Sequence, residues 1–259
     1  MTGETYCLMH SDLDTAYICF VFFATLFLYN FQRLVLSPLY NAELGSERHR
    51  WILKNKKVLA AFSLIAALGM LASLFFIGLR LLWTMIPLGL ISVLYFLPGI
   101  KLRSIPAIKA FMVALIWAVV TVYAPFSLEE KTSAISGLAY MISERTLFVL
   151  ALCIVFNIRD IEHDKTAQVR TIPSLYGINA GKNLATLCLI ASGIFTCVLF
   201  TRKLYSSGNA TAVMLSLICS TLLVSKCTEK SREEYYLFGI DGMMLLQAMF
   251  IFLLRIFLE

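Results

Sequence analysis

Along most of this chain apolar residues run on for about 20 positions at a time, with polar residues gathered in short stretches between the runs. Six runs carry no charge: Thr15–Gln32, Val58–Leu79, Leu81–Ile100, Ala110–Leu128, Asn183–Thr201 and Leu204–Ser225. Two more carry isolated charges, Glu144 and Arg145 in Thr132–Ile158 and Asp241 in Tyr235–Leu254. A helix needs roughly 20 mostly apolar residues to cross a bilayer, and backbone polar groups in lipid must be satisfied within their own segment. The pattern therefore predicts an all-α, multi-span membrane bundle of about eight transmembrane helices. Residues 1–259 read as a single transmembrane helical domain, since no low-complexity linker, separable soluble part or clear repeat interrupts them.

Composition agrees. Of 259 residues, 59% are hydrophobic and 15% charged, against about 25% charged in a soluble domain; the mean hydropathy is +0.81. An integral, multi-pass protein is expected, in a bacterial inner (plasma) membrane and with no nucleic-acid partner. No basic leader with a small-residue cleavage site opens the sequence, so no cleaved signal peptide is expected. The seven cysteines are scattered, mostly within apolar runs and without a CxxC pair. They read as small buried hydrophobes.

Eight spans sort the basic residues into two sets of ends. One set holds Arg33, Arg48, Arg50, Lys54, Lys56, Lys57, Lys101, Arg103, Lys109, Arg159, Lys165, Arg170, Lys182, Lys226, Lys230 and Arg232; the other holds Arg80, Lys131, Arg145, Arg202, Lys203 and Arg255. Lys and Arg favour the cytoplasmic side, so the first set is expected there, with both termini opposite.

The densest polar stretch, NIRDIEHDKTAQVRTIPSLYG at 157–177, follows the uncharged run Thr146–Phe156 on that side. On a helix, Asn157, Asp160 and Asp164 fall at i, i+3 and i+7 and share one face. Two carboxylates and an amide oxygen suit Mg²⁺, which is held by one or two carboxylates together with phosphate oxygens and water. Arg159, Lys165 and Arg170 flank this face and suit phosphate. Gly177 and Gly181 are expected to punctuate the loop before the sixth span. The alternative is a solvated helix end with Asp160 paired to Arg159 or Lys165. Ionisable groups close to the bilayer core are costly and usually functional, which favours the site.

The stretch resembles the second aspartate-rich motif of the UbiA superfamily of intramembrane prenyltransferases, above all its menaquinone-type branch. Asn157, Arg159, Asp160, Ile161, Asp164, Arg170, Thr171 and Gly177 fit that pattern, while Gln168 stands where the family usually has Gly. The resemblance implies a UbiA-like bundle with Asp160 and Asp164 as catalytic metal ligands and Asn157 beside them. YFLPGIKLRSIPAIKAF resembles the family's Tyr-Pro-basic segment. Its Lys101, Arg103 and Lys109 are read both as diphosphate ligands and as a positive-inside anchor. YYLFGIDGMMLLQ carries Asp241 where the family often has an acid near the substrate cavity; the alternative is a packing hydrogen bond beside Gly239 and Gly242.

The family's first motif, NDxxDxxxD, is degenerate here. In YNFQRLVLSP, Asn30 fits, but Phe31, Leu34 and Pro38 replace the three aspartates. Relatives hold prenyl diphosphate between two Mg²⁺ ions, one for each motif, so one ion's carboxylates are missing. Arg33, at i+3 from Asn30, is read as a partial substitute through bidentate phosphate binding, or as a membrane-boundary residue.

The implied function is prenyl transfer from a polyprenyl diphosphate to an aromatic or lipid acceptor through Mg²⁺-assisted ionisation, as in quinone biosynthesis. A membrane terpene cyclase and a non-catalytic lipid- or diphosphate-binding scaffold are the alternatives. A transporter is disfavoured, because nothing suggests a repeat-based pathway.

Overall fold

The computed structural model describes residues 1–9, 11–37, 47–77, 79–96, 108–128, 135–161, 164, 170–229 and 231–258. Among them every regular element is helical. The chain divides into two compact units, Asp14–Ile100, and Met1–Leu13 together with Lys101–Glu259.

The Asp14–Ile100 unit holds α2 (Thr15–Leu36), α3 (Glu47–Lys54), α4 (Lys56–Leu74) and α5 (Leu79–Phe96). Asp14 caps α2, its carboxylate accepting the Tyr17 N–H at 2.9 Å. α2 packs along α4. Gly69 allows the approach, because a Cβ there would lie 2.7 Å from the Phe23 ring. The outward positions are apolar: Phe75, Phe76 and Trp83 are 80% exposed or more. Patches of that size fit lipid, not water.

The second unit holds α1 (Thr2–Leu8), α6 (Ile108–Ala118), which runs through a π-helical stretch Val119–Tyr123 into α7 (Ala124–Leu128), α8 (Ile135–Arg159), α9 (Ile172–Tyr176), α10 (Ile178–Thr201), α11 (Ser207–Lys226), a second π-helical stretch Tyr235–Ile240, and α12 (Gly242–Leu258). α8 is the central helix, packed on α6 and α10. Phe148, Val149, Ala151, Leu152, Val155 and Ile158 are all buried along it. A helix apolar on every side belongs in such a core position.

Among the described residues, seven helices are long and apolar enough to cross a membrane. The eighth expected run forms α5, where the apolar stretch is shorter, Leu81–Val93, and contains Pro87. Two expectations change around the polar stretch. The segment before the sixth span is not all loop: Thr171 caps α9 with a reciprocal pair of hydrogen bonds, Thr171 N–H to Ser174 Oγ at 2.8 Å and Ser174 N–H to Thr171 Oγ1 at 3.3 Å. The sixth span begins at Ile178 and not at Asn183, so Gly181 lies inside α10. Gly177, with φ 86°, makes the turn between the two helices. Gly181 serves close packing, since a Cβ there would meet Pro173 Cγ at 2.8 Å and Ile158 Cγ1 at 3.4 Å. The proline ring cannot swing aside, so Gly181→Ala is expected to cost about 1–3 kcal/mol, the usual range for overpacking. A thermal melt checks this; an unchanged midpoint would mean that α9 simply lifts away.

α1 was not anticipated from the sequence. Its Thr2, Glu4, Thr5, Tyr6, Cys7 and Leu8 are buried. Glu4 Oε1 accepts a hydrogen bond from Arg145 Nη2 at 2.5 Å, with both side chains at most 1% exposed. Glu144 is fully buried beside Arg145, and Ser192 donates to its carbonyl oxygen at 3.1 Å. Burial pushes the nearby Tyr205 hydroxyl well above its ordinary pKa, and the negative charge of Glu144 adds to the rise. The two charges that interrupt the fifth apolar run thus belong to a buried cluster that α1 completes.

Candidate functional site

The polar stretch begins where α8 ends. Asn157 and Asp164 are buried, 6% and 3% exposed. The Asp164 N–H donates to the Asp160 carbonyl at 2.7 Å. This i,i+4 bond keeps the two aspartates in helical register beyond the end of α8, which is what the spacing argument required. An even wetting of both aspartates at the interface would also follow from sequence, but the structure separates them: the Asp160 side chain is 32% exposed, whereas Asp164 faces the interior.

Arg159 binds its neighbour through two contacts, Nε to Asp160 Oδ1 at 2.8 Å and Nη2 to Oδ2 at 3.3 Å. The structure shows this pairing for Asp160; the other one considered, with Lys165, lies outside the described residues. A partly exposed pair of this kind contributes about 0.2–1 kcal/mol. The guanidinium also lies over two aromatic rings, 4.9 Å from the Phe156 centroid and 5.7 Å from that of Tyr236. Glu233 and Asp241 add their negative charge at the same guanidinium. Asp241 is therefore brought within electrostatic reach of the α8 end.

The π-helical stretch decides this placement. The Asp241 N–H bonds to the Tyr236 carbonyl at 3.0 Å, an i→i+5 bond that inserts one extra residue into the turn and re-aims the side chains. The Tyr236 hydroxyl donates to the Thr228 carbonyl at 2.9 Å and accepts from Cys227 Sγ at 3.2 Å. Tyr235 donates to the Leu223 carbonyl at 2.5 Å. Sequence reading passed over Phe156, Tyr236 and Cys227. The one available signal was the Tyr235–Tyr236 pair standing at the membrane entry after two glutamates.

Beside this region lies a cleft of about 600 Å³ lined by Tyr176, Gly177, Ile178, Asn179, Lys182, Cys227, Thr228 and Glu229. Lys182 donates to the Ser225 carbonyl at 3.0 Å on its wall. Arg170 is exposed just before the Thr171 cap.

The remaining sequence candidates divide. Lys101, Arg103 and Lys165 lie outside the described residues, and Lys109 is placed only as a backbone position in the first turn of α6. Asn30 and Arg33 sit in the last turns of α2, in the other unit. The Asn30 amide donates to the Leu26 carbonyl at 2.8 Å and is buried. That bond satisfies the side chain within its own helix.

The donors fit a hard cation: Asn157, Asp160 and Asp164 present only oxygen for coordination. Among the described residues no three His, Cys, Asp or Glu side chains gather as a metal cluster, so the set is two carboxylates and an amide. Arg159 competes for one of those carboxylates.

The family model described as the UbiA prenyltransferase family matches residues 48–241, 194 of the 259 residues. The matched span begins after Asn30 and Arg33 and ends at Asp241. No curated protein and no solved structure matches the chain.

Proposed function

Because this chain belongs to the UbiA prenyltransferase family, a family of membrane prenyltransferases, we propose that it transfers a prenyl group from a polyprenyl diphosphate to an aromatic or lipid acceptor. The observation that carries the reading is the end of α8, where Asn157, Asp160 and Asp164 stay in helical register beside a guanidinium held by two aromatic rings.

Asn157, Asp160 and Asp164 would hold Mg²⁺, which supplies positive charge to the departing diphosphate. The chain's own groups do the rest. Arg159 spends Nε and Nη2 on Asp160, which leaves its Nη1 edge to donate to phosphate oxygens. Arg170, Lys101, Arg103 and Lys109 add positive charge, and Lys165 stands within the motif itself. The C–O bond to the diphosphate breaks, and the electron-rich acceptor forms the new bond to the allylic carbon. Apolar helix faces keep water from intercepting that carbon. Asp241, whose charge reaches Arg159, is the acid proposed to stand near the substrate and to take up the acceptor's proton. By sequence alone, Arg33 is a candidate stand-in for the carboxylates missing at Phe31, Leu34 and Pro38, or a membrane-boundary residue.

The purified protein in nanodiscs, given radiolabelled prenyl diphosphates of graded length and candidate acceptors, is expected to release diphosphate with Mg²⁺ and not with EDTA. Binding without release would overturn transfer in favour of a lipid- or diphosphate-binding protein. The loss of the first motif's three aspartates is the feature that favours that second reading. The motif loops are proposed to face the cytoplasm: a cysteine placed at position 168 is expected to react with an impermeant reagent from that side only.

A further inference from the structure

Arg159 stands at the C-terminal end of α8 with a long side chain, and such chains carry about 2 kcal/mol of rotamer entropy. Two rings confine it. Phe156 belongs to the same helix, one turn back, and could follow any movement of that helix end. Tyr236 comes from the second π-helical stretch, is fully buried, and is fixed at three points: its carbonyl by the Asp241 N–H, its hydroxyl by the Thr228 carbonyl and by the Cys227 thiol. The two rings lie 6.1 Å apart at 40°. Asp160 is its own neighbour in sequence, and Glu233 and Asp241 act on the guanidinium through their charge, so among the described contacts the Tyr236 ring is the one that packs on it from outside α8.

We propose that Tyr236 is a positioning residue: its anchored ring holds the Arg159 guanidinium so that the Nη1 edge meets the diphosphate while the Nε edge orients Asp160. This rests on the reading under "Proposed function". Cys227 and Thr228 act through Tyr236 by fixing its hydroxyl. Burial pushes the Cys227 thiol up from its ordinary pKa, so it stays protonated and continues to donate. Both residues also line the 600 Å³ cleft, so the tyrosine anchor sits in that wall.

The test is a double-mutant cycle in the full-length protein with Tyr236→Leu, Tyr236→Phe and Arg159→Met, read by kinetics and by thermal melting. Tyr236→Leu is expected to raise KM for prenyl diphosphate roughly fivefold to tenfold, the equivalent of one cation–π contact, with a smaller change in kcat. Tyr236→Phe keeps the ring but loses the hydroxyl that Thr228 and Cys227 fix, and is expected to recover only part of this. In the Arg159→Met background Tyr236→Leu is expected to change KM hardly at all. An equal KM effect with and without Arg159 would overturn the proposal, because the tyrosine would then act only by packing. Melting separates this failure from failure of the transfer reading. A parent that releases no diphosphate, yet shows melting shifts for Tyr236→Leu and Arg159→Met that do not add, would remove prenyl transfer and keep the Tyr236–Arg159 contact. Shifts that add would remove the contact itself.

Discussion

Arg145→Met is expected to destabilise this protein by about 3–5 kcal/mol, the cost of breaking a buried ion pair and stranding charge. Arg145 is fully buried on α8, and Glu4 reaches it from α1 at 2.5 Å. Removing the guanidinium leaves Glu4 with only the Met1 ammonium at 3.8 Å, and Glu144 enclosed without its neighbouring cation. Glu4→Gln strands only Arg145, which keeps Glu144 beside it, so this change belongs at the lower end of the range. Replacing both partners of the short pair, Glu4→Leu with Arg145→Met, is expected to recover much of the loss, because well-packed apolar side chains often replace a buried pair at little cost. The measurement is thermal or denaturant unfolding of the four proteins in the same detergent. A melt of Arg145→Met indistinguishable from the parent would show that water reaches the cluster and that α1 is not held by it.

Asp164→Asn is expected to lower Mg²⁺-dependent prenyl transfer by about 100-fold or more, the scale set by removing one preorganised group that stabilises transition-state charge. Asp160→Asn is expected to do the same by a different route. It takes away a ligand and also releases Arg159, whose fork then has no carboxylate. The two variants differ in stability. Asp160 is 32% exposed and its loss costs little; Asp164 is buried, so its amide must find new partners. Turnover measured across a Mg²⁺ titration checks this, together with the melting point of each variant. Should both variants match the parent at every Mg²⁺ concentration, the α8 end would not be the metal site.

The membrane character, the helical class and nearly every span could be read directly from the sequence. Partition into lipid is a property of each segment on its own, set by about 20 consecutive side chains. The register of Asn157, Asp160 and Asp164 was legible for the same reason, since helical spacing is local. Boundaries were less so: Gly177 at φ 86° and the Thr171 cap fix the start of the sixth span, and both are backbone facts. Pairings across the chain were not legible at all. Glu4 and Arg145 are 141 positions apart, and nothing in the run around either one names the other. Tyr236 meets Arg159 from a different helical segment, near the start of the second π-helical stretch. The sequence by itself determined which segments enter the bilayer and which acids share a helix face, because each of those depends on neighbouring residues alone. The tertiary structure decided what buries Glu144 and Arg145, which of the two aspartates is enclosed, and what holds Arg159, because those depend on side chains that only packing brings together.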